Sequence, residues 1–159
     1  MNPLMTMRHL LLFCSIILIG NGCSKSNRPA DLPKLYPAAV TIRQEDKELS
    51  GAAVRLVPLD VSNTWTTGAV TDSHGKATLR THGRYPGAPA GKYKVCVTKT
   101  MTDDEPLKNG SKRSYHVIGP EYDNPANTPF ELEITSGKNA FEFNVPKTVK
   151  IVIPFGGAR

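Results

Sequence analysis

The side chains able to do chemistry are few and scattered along this 159-residue chain. His74, His82 and His116 could ligate a metal together with Asp72 or Glu121, but their spacing makes no ligand pair, and structural histidines are expected. Asp72-Ser73-His74 holds the residue types of a hydrolytic triad. Neighbours in one tight turn cannot converge as nucleophile, base and orienting acid. Asp103-Asp104-Glu105 offers the hard oxygens that suit calcium, yet no glycine-punctuated Asp-x-Asp loop surrounds them, and a solvated turn is expected. Trp65, Tyr85, Tyr115 and Tyr122 could form an aromatic platform for a sugar or peptide, with Trp65, Tyr115 and Tyr122 as the candidate ligand contacts. Aromatic side chains in loops also plug the ends of sandwiches. No catalytic residue, metal site or cofactor is expected.

The elements that must carry these groups read as strands. Val40 and Ile42 alternate with Thr41 and Arg43, and Val54 and Leu56 flank Arg55. Residues 76–81 place Ala77 and Leu79 opposite Lys76, Thr78 and Arg80. Residues 92–98 put Tyr93, Val95 and Val97 on one face, and the runs 130–134 and 141–145 alternate in the same way. A last run, 148–153, follows Pro146. Period-two alternation marks half-buried strands. Turn residues fall between the runs, at Asp72-Ser73-His74-Gly75 and Ser136-Gly137-Lys138-Asn139 among others. About seven short strands with frequent turns predict an all-β, antiparallel β-sandwich. Residues 100–128 interrupt the rhythm with charged and turn-forming residues, and a long insertion of this kind is the first place to seek a binding surface.

The N-terminus has a different design. Arg8 precedes an apolar run over residues 10–19, and Gly20-Asn21-Gly22 leads to Cys23, the layout of a secretory signal peptide. A ten-residue run makes a helix of about 15 Å, half of what a membrane span needs. Leu18-Ile19-Gly20-Asn21-Gly22-Cys23 resembles a bacterial lipobox, although Gly20 stands where that pattern has an aliphatic residue. The resemblance implies cleavage after residue 22, diacylglycerol and a fatty acyl group such as palmitate on Cys23, and, from Ser24, sorting to the outer membrane. Residues 23–35 then read as a polar tether with two prolines, ahead of a domain over 36–154. With Cys14 in the signal and Cys23 acylated, Cys96 is left without a disulfide partner. Alternation puts it among Lys92, Lys94 and Thr98, either as an exposed thiolate or as a small hydrophobe covered by the insertion, and the covered case is the expectation.

Net charge is +6, but the lysines and arginines are dispersed, which fits solvated strand faces and no nucleic-acid partner. Leu49-Ser50-Gly51-Ala52-Ala53-Val54 followed by Thr71-Asp72-Ser73-His74-Gly75-Lys76-Ala77, together with Pro89-Ala90-Gly91-Lys92-Tyr93-Lys94-Val95, resembles the carboxypeptidase regulatory-like domain over roughly residues 35–145. Val117-Ile118-Gly119-Pro120-Glu121-Tyr122 and Ser136-Gly137-Lys138-Asn139 are similar to a subgroup of small secreted or lipid-anchored bacterial proteins. The resemblance implies a transthyretin-like (immunoglobulin-type) seven-stranded sandwich and an envelope location. The chain lacks the C-terminal Tyr-Arg-Gly-Ser of the purine-pathway hydrolase built on that fold. The expectation is a monomeric, non-catalytic envelope lipoprotein, held to the membrane by its lipid, whose sandwich displays or docks onto an envelope protein or polysaccharide. The alternatives are a carbohydrate-binding module and, third, a hydrolase.

Overall fold

Alternation of apolar and polar residues decides which face of each strand is buried. The computed structural model describes residues 28–147 and 150–153. The chain divides into two units, residues 1–32 and 33–159, and the core cluster lies wholly in the second. Its strands are β1 (Leu35–Tyr36), β2 (Ala38–Gln44), β3 (Lys47–Glu48), β4 (Ala53–Pro58), β5 (Thr67–Val70), β6 (Lys76–Thr78), β7 (Arg80–Thr81) and β8 (Tyr85–Pro86). They continue as β9 (Ala88–Pro89), β10 (Gly91–Thr98), β11 (Thr100–Thr102), β12 (Ser114–His116), β13 (Glu131–Ile134), β14 (Asn139–Val145) and β15 (Ile151–Val152). One 3-10 turn, Pro120–Tyr122, lies between β12 and β13.

The fold is a β-sandwich. One sheet runs β13-β10-β4-β5-β7-β8, antiparallel throughout. In the other, β14 lies along the full length of β2, while β6 and β3 pair end to end along β2's opposite edge. Val40, Ile42 and Val145 from this sheet meet Val54, Leu56, Tyr93, Val95, Val97, Leu132 and Ile134 from the first, all at most 6 % exposed. The β2–β14 pair is parallel. Parallel neighbours need a crossover rather than a hairpin, and here the whole run from residue 45 to residue 138 supplies it.

The run 76–81, which alternates as one strand, is divided between the sheets. β6 pairs with β2 and β7 with β5, and the buried Leu79 between them donates its N–H to Ala38 O (2.9 Å) and accepts from Gly87 N (2.9 Å). The return from β13 to β14 also changes sheets. Asn139 closes it, its Oδ1 accepting from Thr135 N (3.0 Å) while Nδ2 donates to Thr135 O (3.0 Å) and Gly137 O (3.2 Å).

The strand directions give the sandwich two distinct ends. β1 pairs with β9, and Tyr93 Oη donates to Pro89 O (2.9 Å) and accepts from Asn63 Nδ2 (3.0 Å), so β1, the loop after β4 and the beginning of β10 share one end. β10 and β2 both run away from it. At the far end Gln44 Nε2 donates to Val117 O and Pro146 O (both 3.1 Å).

Candidate docking surface

At that far end β10 passes through Lys99, whose Nζ donates to Ser50 O (2.7 Å), into the hairpin β11–β12. The insertion expected over residues 100–128 is therefore built, for its first half, as a further small sheet. The C-terminal β15 adds to β12, giving the order β11-β12-β15. Met101 pairs with Tyr115, and Tyr115 with Val152. Directly paired residues share a face of a sheet, so these three form one cross-strand row. Met101 and Val152 are exposed, as is Ile151 on the opposite face. Tyr115 Oη donates to Met101 Sδ (3.9 Å), and the Lys150 ammonium stands 4.2 Å from the ring centroid. Lys150 also donates to Asp103 Oδ1 (3.2 Å), a bond that raises its pKa above the usual lysine value. Between the row and the end of β2 lies a cleft of about 200 Å³ lined by Gln44, Tyr115, His116 and Lys147. The surface thus offers apolar area with cations at its border, the make-up of a recognition surface.

The three aromatic residues singled out as ligand contacts lie in three separate packing groups. Trp65 is half-buried, its ring 4.8 Å from that of His82. Tyr115 is half-buried within the cross-strand row, between Met101 and Val152. Tyr122 packs on Phe130 (5.3 Å), which stacks on Phe143 (4.7 Å), filling the margin between edge strands β13 and β14. Met101, Lys150 and Val152 escaped sequence reasoning. The available signal was a strand-like run after the last core strand that had no evident partner.

The other candidates are equally separate. Cys96 is 1 % exposed and sits across from Arg55 on β4; Arg55 Nη2 donates to Asp123 O (3.1 Å), and the 3-10 turn packs on β10, so the insertion's second half covers that face. Burial pushes its thiol pKa up, with Arg55 opposing the shift. Asp72 is committed to its turn, accepting from His74 N (2.9 Å) and Lys76 N (3.0 Å), and these bonds lower its pKa. The His74 ring faces Glu48 (3.7 Å), His82 lies against Trp65, and His116 is on β12. Among the described residues, no three of His, Cys, Asp and Glu converge on one point. Cys23 and the signal segment lie outside the described residues.

No protein-family model matches this chain, and no curated protein matches it in sequence. Among solved structures it is similar to the major pilin subunit BcpA of Bacillus cereus, with 18% identity, coverage of 73% of this chain and 31% of the pilin, and a TM-score of 0.44. It is also similar to a 9R-lipoxygenase from Cyanothece PCC8801, with 14% identity, coverage of 78% and 19%, and a TM-score of 0.39. The chain thus spans under a third of the pilin and a fifth of the lipoxygenase.

Proposed function

We propose that this chain is an exported, non-catalytic envelope lipoprotein, anchored through Cys23, whose sandwich presents the β11–β12–β15 sheet as a docking surface for another envelope protein. The observation that carries the reading is the polarity of the fold. The chain enters the sandwich at the end marked by Leu35 and Pro89, and the row of exposed Met101, half-buried Tyr115 and exposed Val152 sits at the other.

The test is cross-linking in intact envelopes with a tagged full-length chain, followed by mass spectrometry. One dominant protein partner, lost in both Cys23→Ser and Met101→Ser/Val152→Ser, is the expected result. A partner retained by the double variant would remove the hairpin sheet from the argument. A carbohydrate-binding role is the second reading, favoured by Tyr115 beside the cleft that Gln44 and Lys147 line. It requires retention on an envelope polysaccharide that Tyr115→Ala abolishes; Trp65→Ala tests the other ring in the same assay.

A further inference from the structure

The tip of the β11–β12 hairpin holds a reactive pair that the docking reading does not use. Asn109 precedes Gly110, and among the described residues no other asparagine has glycine after it. In such a pair the glycine nitrogen can reach the asparagine side-chain carbonyl, because the next residue has no side chain to stand in the way. Both residues are exposed, and a Cβ at Gly110 would meet nothing within 4 Å. Asn109 Oδ1 accepts from Ser111 N (3.1 Å) and Ser111 Oγ (2.6 Å). These donors sit on the oxygen that takes up negative charge when a nucleophile adds to Cγ. The contact that opposes attack is the bond from Gly110 N to Leu107 O (2.8 Å). It lies at an exposed loop tip, where local opening costs little.

The fold withholds the same chemistry from the other described asparagines. Asn139 is 8 % exposed, and its amide is tied to Pro37, Thr135 and Gly137. Asn144 precedes Val145, which is buried and paired with β2. Asn127 precedes the buried Thr128, whose N–H donates to Asn124 O (2.9 Å). Asn124 precedes Pro125, which has no N–H to give up. Asn63 precedes Thr64, and its Nδ2 is bonded to Tyr93 Oη.

We propose that Asn109 is a spontaneous modification site of the folded chain, with Ser111 as the positioning residue that polarises its side-chain carbonyl. Gly110 N gives its proton to solvent and attacks Asn109 Cγ. The N–Cγ bond forms, the Cγ–Nδ2 bond breaks, and ammonia leaves with a solvent proton, which closes a succinimide ring. Water then opens the ring. Cleavage of N–Cγ leaves aspartate, and cleavage between Gly110 N and the main-chain carbonyl carbon of Asn109 leaves isoaspartate. Either product places a carboxylate between Lys108 and Lys112, and the iso form adds a methylene to the backbone of the hairpin that carries Met101 and Tyr115. The modification stands whether or not that sheet docks a partner.

The experiment holds the full chain, folded in detergent, at mildly alkaline pH and body temperature beside the same chain unfolded in guanidinium chloride. Mass spectrometry of its peptides reads the amide-to-acid mass gain at each asparagine. Methyl transfer by an isoaspartyl methyltransferase reads the iso form in the peptide that contains Asn109. The expected result is conversion of Asn109 in the folded chain at a rate within about tenfold of the unfolded one, while the other described asparagines stay amides in the folded chain. Ser111→Ala should slow folded-state conversion about threefold, and Ser111→Thr should restore it. Asn109→Gln should abolish methyl transfer to that peptide with an unchanged far-ultraviolet circular dichroism spectrum. An Asn109 that converts when unfolded but stays an amide in the folded chain overturns the proposal, as does earlier folded-state conversion at any other described asparagine. Faster conversion in Ser111→Ala makes Ser111 a clamp on the side chain and overturns the part given to it.

Discussion

At Gly75 the backbone takes φ +69, and a Cβ there would lie 2.5 Å from Ile42 O and 3.0 Å from Leu49 N. The residue both turns the chain and lets two other segments approach; Ile42 N donates to Gly75 O (2.8 Å). Positive φ in a non-glycine residue costs roughly 1–3 kcal/mol, to which the collision adds. Gly75→Ala is expected to destabilise the domain by about 3 kcal/mol, read as a lower urea midpoint with an unchanged slope. Asp72, Gly75 and Tyr93 were all legible in the sequence as fold-making residues, because turn chemistry and strand register are local. The partners of Tyr93 Oη, Asn63 and Pro89, were not, since 30 residues of chain separate Asn63 from the ring it meets.

Between elements, the decisive positions are those where the chain changes sheets. Leu79 divides β6 from β7, and Asn139 holds the β13–β14 corner with bonds to Thr135 and Gly137 and a further one from Nδ2 to Pro37 O (3.3 Å). Removing a buried amide of this kind strands several backbone groups at once. Asn139→Ala should therefore cost about 2–3 kcal/mol in equilibrium unfolding, against under about 1 kcal/mol for Lys138→Ala on the same exposed turn. The alternation of residues 76–81 is uniform, so nothing in it marks Leu79 as a crossing point. The hairpin β11–β12 was equally hidden. Its strands, Thr-Met-Thr and Ser-Tyr-His, are too short to show a period, and they are ordered by pairing with each other and with β15.

For the molecule as a whole, charge titration gives the stability a predictable shape. The carboxyl groups of Asp72 and Asp60 have lowered pKa values because backbone and hydroxyl donors hold their charged forms, and Glu131 is lowered by its bond to Lys94 (2.7 Å). A lowered folded-state pKa contributes stability that is present above the usual carboxylate range and is lost as pH falls through the folded value. Tyr93, raised first by burial, and Lys150, raised by Asp103, work in the other sense. Their contribution is present below their ordinary values and is lost as pH rises through the folded ones. Thermal melts should show a plateau near neutrality that declines below about pH 4 and above about pH 10. Asp72→Asn should shrink the acid limb.

What the sequence by itself determined is what depends on near neighbours: the strand faces, the turn residues, an all-β sandwich and the basic, dispersed charge. Residues 100–128, read from the sequence as an insertion, begin as the hairpin β11–β12, and its pairing with β15 had no local signal. The Met101–Tyr115–Val152 row exists only because a C-terminal strand returns to a hairpin about 35 residues earlier in the chain. The two ends of the sandwich are set by β4 pairing with β10 in one sheet and β2 with β14 in the other. Those placements belong to the tertiary structure, because pairing distant strands is set by the shared burial of faces that no local pattern of residues specifies.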